Sequence, residues 1–299
     1  MNIQTKSNLF AFSAVLFWST VATAFKLTLE GMNYAQLLFF SSFFSTVILF
    51  FFAKKESGAN LKILFGKKAL IKSAALGLIN PFFYYLVLFK AYSLLPAQEA
   101  QPLNYTWPIA ISIFSVIFLD QKLTLKTIAG LLLAFFGVAV IATRGNLLSL
   151  EFHSLFGVIL AAGSSIIWAA FWILNLKDDR ESGIKLFGAF FAGTIFTAVY
   201  ILLFDSFKLD DYTYISGAAY IGFFEMGITF FLWMKALQLS DNKAKTSTLA
   251  YLSPFISLVF IALILKETLL FSSIIGLVLI VGGILIQRIG KKTLPQTRR

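Results

Sequence analysis

The sequence contains no cysteine and a single histidine, His153. Disulfide frameworks, thiolate nucleophiles and Cys/His metal sites are thereby excluded, along with most histidine relays. Charge is scarce as well: Asp, Glu, Lys and Arg make up 13% of the 299 residues, where a soluble domain carries about a quarter. No G-x-x-x-x-G-K-[ST] phosphate loop and no G-x-S-x-G nucleophile elbow occurs. Gly163-Ser164-Ser165 is a nominal serine nucleophile, but no histidine lies in any apolar segment to serve as its base. The carboxylates are not paired at metal spacing. Enzyme chemistry, a cofactor, a bound metal and ATP drive are therefore not expected, and an intramembrane hydrolase is the weakest of the functions weighed.

What the chain has in abundance is apolar surface. Hydrophobic residues make up 59%, phenylalanine alone supplies 35 positions, and the mean hydropathy is +0.84. The apolar runs reach the ~20 residues needed to cross a bilayer. Their period is helical rather than the alternation of an outer-membrane barrel. Ten spans are expected, at about 8–26, 34–53, 70–92, 97–119, 126–143, 154–176, 184–204, 212–237, 243–265 and 271–289. The fold class is an all-α integral membrane protein. The first run follows Lys6, is too long for a signal-peptide core and has no small-residue cleavage site, so it is expected to be a retained span.

The net charge is +11. Of the 25 Lys and Arg residues, only Lys26, Lys90, Arg144, Lys208 and Lys266 fall on the side away from the termini. The others gather on the terminal side, with clusters at Lys54–Lys72 and in the tail after Arg288. By the positive-inside rule both termini face the cytoplasm of a cell inner (plasma) membrane. The basic charge thus reports topology and contact with anionic lipid heads, not a nucleic-acid partner.

The two halves repeat. "VLFWST" (15–20) matches "SIIWAA" (165–170), and "LFKAY" (88–92) matches "WMKAL" (233–237). "LNYTWPIAIS" (103–112) matches "LAYLSPFISL" (249–258), and "IAGLLLAFFGV" (128–138) matches "IIGLVLIVGGI" (274–284). Each unit holds five spans, and an odd number inserts the second copy from the opposite side. The expected architecture is therefore ten transmembrane helices as two inverted five-helix repeats around a central cavity. Secondary transporters build alternating access for a small-molecule substrate on this arrangement.

Three prolines fall near the middle of apolar spans: Pro81, Pro108 and Pro254. A proline lacks the N–H that the carbonyl four residues earlier would use, so each predicts a helix break. In lipid the freed carbonyl needs another partner or a watered cavity. On span four, Gln101, Asn104, Tyr105, Pro108, Ser112 and Ser115 fall within about 100° of arc. On span nine, Ser247, Ala250, Tyr251, Pro254 and Ser257 form the matching stripe. Polar stripes on apolar helices point toward protein or water. Ordinary helix packing with incidental kinks explains any one of these residues; their recurrence in both halves favours a shared cavity.

Trp18, Trp168 and Trp172 lie inside spans one and six, and Trp107 is also deep, away from the interface where tryptophan usually collects. An aromatic cavity would suit apolar, aromatic or cationic solutes. Glu225, in "GFFEMGITFF", is the one carboxylate at mid-span depth, where an ionised acid costs about 2–4 kcal/mol. It is expected either to be a proton-coupling or cation-binding group, or to be a neutral carboxyl bonded across the bundle. Glu99 and Lys90, near the outer ends of spans four and three, are candidates for a salt bridge or gate. Gly188-xxx-Ala192, Gly193-xxx-Thr197 and Ala218-xxx-Gly222 are spaced for close helix contact.

Together these features resemble the EamA-type members of the drug/metabolite transporter superfamily, over essentially the whole chain. The "LFWST" of span one and the five-plus-five repeat carry the general likeness. Asn104-Tyr105-Thr106-Trp107-Pro108 (N-Y-x-W-P), Ile167-Trp168-Ala169-Ala170, Tyr251 with Pro254, and Glu99 are similar to the branch that exports aromatic amino acids. Asn80-Pro81 and Glu225 depart from that branch. The resemblance implies EamA-type repeats over 1–146 and 147–299, and a central cavity lined by Asn104, Tyr105, Trp107 and Trp168. It implies export of amino acids (aromatic or other apolar), related metabolites or organic toxicants. An uncoupled facilitator is the alternative on the same fold.

Overall fold

The computed structural model describes residues 2–56, 66–118, 124–148, 152–176, 178–240, 246 and 249–288. Ser247 and the side chains of Ser112 and Ser115, three members of the expected stripes, lie outside what is described. So do Lys62, Lys122, Lys177, Lys243, Lys245 and the tail cations beyond Arg288.

Among the described residues every regular element is a helix. The helices are α1 (Ile3–Thr28), α2 (Tyr34–Glu56), α3 (Lys67–Gly77), α4 (Tyr84–Leu94), α5 (Ala97–Asn104), α6 (Trp107–Phe118) and α7 (Leu125–Ala142). The second half supplies α8 (Leu155–Leu176), α9 (Ser182–Phe204), α10 (Ile215–Tyr220), α11 (Phe230–Leu239), α12 (Ser253–Phe260) and α13 (Phe271–Arg288). Seven continuous helical stretches are long and apolar enough to cross a membrane, with α3–α4 and α10–α11 each forming one such stretch. Shorter apolar helices occupy Leu249–Leu265 and Phe271–Ile286. Short polar turns cap the elements. Asn33 Oδ1 accepts the N–H groups of Ala35 and Gln36 at 3.0 Å, and Gln36 Oε1 accepts that of Asn33 at 3.1 Å. This reciprocal cap fixes the start of α2.

Packing follows the internal repeat. α7 runs along α13, and a Cβ on Gly137 would lie 2.6 Å from the Gly276 carbonyl oxygen. A Cβ on Gly283 would lie 2.4 Å from that of Gly130. Gly130 and Gly137 match Gly276 and Gly283 in sequence, so exchanging the halves maps one contact onto the other, as a two-fold axis requires. The same exchange relates α3 on α9 to the Gly222 turn on α2. A Cβ on Gly77 would lie 2.3 Å from Ala189 O and 3.0 Å from Gly193 N. One on Gly222 would lie 2.4 Å from Ser41 O and 3.0 Å from Ser45 N. Only hydrogen fits at these crossings, which is how backbones pack closely where lipid offers no hydrophobic drive. Gly188 and Gly193, singled out by spacing, meet Ser73 and Pro81 in the same way.

The helix breaks sit at the prolines and at one further place. Between α3 and α4, Asn80 is extended (φ −145°, ψ 121°) inside the wide turn Leu78–Phe83 that holds Pro81. The corresponding wide turn in the second half, Ile221–Thr229, contains Glu225 and no proline. Asn80 and Glu225 occupy equivalent positions, three residues after Gly77 and Gly222. The single kinked span expected over 97–119 is instead two helices, α5 and α6, meeting at Tyr105–Thr106. Pro108 gives the Asn104 carbonyl no donor, and the Thr106 hydroxyl takes the Leu103 carbonyl at 2.7 Å. Pro254 does not kink a continuous helix either. It lies in the first turn of α12, where no donor is needed, behind the tight turn Leu249–Leu252.

Polar ties hold both ends of the bundle. At the end where α1 begins, Glu56 accepts the Gly183 N–H at 2.6 Å and pairs with Lys235 at 3.0 Å. Arg180 grips Asp178 at 2.6–3.1 Å and donates to Ser73 Oγ at 2.8 Å. Burial works against the Asp178 charge, but these Arg180 bonds outweigh it and hold the carboxyl below the usual carboxylate range. At the opposite end, Glu267 accepts the N–H groups of Ala97 and Gln98 at 2.9 and 3.3 Å, capping α5. Lys26 donates to the carbonyls of Tyr92 and Leu95 at 3.0 and 3.1 Å.

Candidate functional site

A cavity of about 280 Å³ lies inside the bundle, walled by α1, α4, α5, α6, α8, α11 and the Glu225 turn. All five tryptophans of the chain line it: Trp18, Trp107, Trp168, Trp172 and Trp233. Trp168 is the hub, with ring centroids 4.7 Å from Tyr84, 5.3 Å from Phe230 and 5.8 Å from Trp172. Trp18 and Trp233 meet across the far wall at 5.1 Å. These inclined pairs are the geometry that aromatic quadrupoles favour, and they hold the rings as fixed walls.

The break in span four supplies most of the polar lining. Gln101, Asn104 and Tyr105 come from its α5 side and Trp107 from the start of α6. Asn104 is pinned from two sides. The Tyr84 hydroxyl donates to its Oδ1 at 3.3 Å, and its amide donates to Ser164 Oγ at 2.8 Å. Thr106 Oγ1 lies 3.0 Å from Ser165 Oγ. The break is thereby stitched to α8, whose serines accept these bonds and donate their own hydroxyls to the carbonyls of Ala161 and Ala162. Gln101 is 2% exposed, and neither atom of its amide is bonded among the described residues. Glu225 is 6% exposed; the Tyr85 hydroxyl donates to its Oε1 at 3.1 Å, and its Oε2 is unbonded among the described residues.

The Ser164 hydroxyl donates to the Ala161 carbonyl at 2.6 Å, so the nominal nucleophile is committed to its own helix. Rigid rings, the pinned Asn104 amide, the unbonded Gln101 amide and one half-satisfied acid can bind and orient a small molecule.

Of the residues expected at the site, Gln101, Asn104, Tyr105, Trp107, Trp168 and Glu225 converge on the cavity. Tyr251 is buried at 4% exposure beside Ala250, which is the residue of that segment on the wall. Pro81, Pro108 and Pro254 stand at helix discontinuities and do not themselves line it. The suggested pairing of Glu99 with Lys90 is corrected. Glu99 meets Arg144 at 3.4 Å, and Lys90 sits 4.7 Å over the Tyr34 ring. The two lie on successive helices, α5 and α4, that turn different faces to their neighbours. Trp233, Tyr84 and Tyr85 were missed. For Trp233 a signal existed: Leu88 and Tyr92 match Trp233 and Leu237 in the repeat, and all four line the cavity.

The sequence profile of the EamA-like transporter family matches residues 5–143 and again 155–288. YvbV of Bacillus subtilis (strain 168), an uncharacterized transporter, is 28% identical over 195 residues; the match covers 64% of this chain and 62% of that protein, under two thirds of its length. The aromatic amino acid exporter YddG of Ancylobacter novellus is 24% identical over 255 residues, covering 85% and 87%. The exporter of the same name in Escherichia coli (strain K12) is 26% identical over 199 residues, covering 64% and 66%. A protein of known crystal structure shares the fold with a TM-score of 0.68 at 21% identity, over 95% of this chain and 96% of that one.

Proposed function

Because the chain belongs to the EamA-like transporter family, we propose that it is a secondary transporter of the cell inner membrane that exports aromatic or other apolar amino acids, related metabolites or organic toxicants. The observation that carries this proposal is the mid-bundle cavity walled by every tryptophan of the chain. The aromatic amino acid export for which the two YddG relatives are named supports the aromatic emphasis.

On this proposal the seven long stretches, the α5–α6 pair and the apolar helices Leu249–Leu265 and Phe271–Ile286 make ten transmembrane segments. Residues 1–146 and 147–299 are the two repeats, inserted with opposite topology, and both termini are cytoplasmic. Gln101, Asn104, Tyr105, Trp107 and Trp168 form the substrate site, with Glu225 as its polar or coupling group and Tyr251 buried next to the wall residue Ala250. The halves rock about this fixed site and expose it to each side in turn. The breaks at Pro81, Pro108 and Pro254 let segments of one span move separately.

Purified protein in proteoliposomes tests the assignment. Trp107→Ala and Trp168→Ala are each expected to lower transport of labelled phenylalanine or a related aromatic solute by at least about tenfold, the scale of losing one stacking wall. Unchanged transport in both variants sinks it.

A further inference from the structure

We propose that the cavity selects solutes with one cationic centre and no compensating anion: aromatic or apolar amines in preference to amino acids. This rests on the cavity being the substrate site. Among the described residues lining it, Glu225 is the only acid, and there is no lysine, arginine or histidine. Lysines on two of the helices that wall it are engaged elsewhere. Lys26 is held by the carbonyls of Tyr92 and Leu95 at the end of the bundle, and Lys235 pairs with Glu56. Glu225 is 6% exposed, its Oε2 is unbonded among the described residues, and no salt bridge of the described residues includes it.

Charge balance then decides the class of solute. An acid alone in an apolar wall is poorly solvated as its anion, and a monocation that binds beside it in exchange for its proton restores neutrality. Tryptophan faces add attraction for the same cation. A zwitterion brings a second carboxylate, and the cavity offers it only neutral donors such as the Gln101 amide. An amino acid therefore leaves one anion uncompensated at mid-bundle, and an amine leaves none. The internal repeat sharpens the point. The position equivalent to Glu225 is Asn80, a neutral amide that is fully buried and off the cavity wall. The charge is thus a property of one half only, placed where the wide turn Ile221–Thr229 aims it inward.

Isothermal titration of the purified protein with four matched probes tests this: phenethylamine (cation), phenylalanine (zwitterion), 3-phenylpropionate (anion) and 2-phenylethanol (neutral). Phenethylamine is expected to bind at least about tenfold more tightly than the other three. Glu225→Gln is expected to bring it down to the level of 2-phenylethanol, while an unchanged thermal unfolding midpoint in detergent reports an intact fold. If Glu225→Gln also loses 2-phenylethanol, Glu225→Asp, which keeps the charge, must retain the amine preference, and its loss there overturns the proposal. Phenylalanine binding as tightly as phenethylamine overturns it, as does an amine preference that survives Glu225→Gln. Silence from all four probes overturns the cavity as a substrate site and this inference with it, whereas binding without amine preference overturns this inference alone.

Discussion

Tyr85 is fully buried and spends its hydroxyl on Glu225, so the two side chains are one polar unit inside an aromatic wall. Tyr85→Phe keeps the ring and strands the acid. The expected cost is about 1–3 kcal/mol, read as a lower midpoint of thermal unfolding in detergent; an unchanged midpoint means the bond carries no stability. A second residue-scale prediction concerns the loop after α8. Arg180 holds the Asp178 carboxyl below its ordinary range. A depressed carboxyl stabilises fully above its unfolded value of about 3.9, and that stabilisation fades as pH falls through the lower folded value. Arg180→Ala should lower the unfolding midpoint at neutral pH and flatten its acid-side dependence; a variant with the wild-type pH profile contradicts the pairing. Glu225 stood out in the sequence because an ionised acid in an apolar run is costly and must be protonated, paired or wetted, although the sequence left open which of these holds. Tyr85 was not, since a tyrosine suits a membrane helix in any orientation and only the fold says what its hydroxyl meets.

The seam between α7 and α13 is the element-scale consequence of the repeat. Gly137→Ala and Gly283→Ala each push a methyl into the facing backbone, at equivalent places on either side of the two-fold axis. Both are expected to destabilise by about 1–3 kcal/mol and by similar amounts. Gly163, in α8, has nothing within 4 Å of where a Cβ would stand, so Gly163→Ala should be neutral or stabilise by about 0.4–1 kcal/mol. Thermal unfolding of the three variants checks the contrast, and a harmless Gly137→Ala breaks it. This seam could be anticipated from the matched glycines of "GLLLAFFG" and "GLVLIVGG". The behaviour of Pro254 could not. Hydropathy marks where a span lies, but a proline that starts a helix and one that kinks it leave the same mark, and only the tight turn before Ser253 separates them.

Across the whole molecule, the helix pairings recur under exchange of the halves, and the repeats in the sequence carried that symmetry. They did not carry the end ties, because Glu267 reaches Ala97 across a separation that no local pattern encodes. If the end where α1 finishes must part for transport, bridging Ala97→Cys to Glu267→Cys with a short bis-maleimide should stop transport while the uncrosslinked double variant stays active. The chain has no other thiol to confuse the reaction. Continued transport after bridging would show that this end does not open. The tryptophan walls bring a further consequence. Every indole in the protein stands around one hollow, so its ultraviolet emission carries no background from the surface or from the bilayer rim. The molecule is born with its own lamp inside the room of interest, and whatever enters that room will change the light.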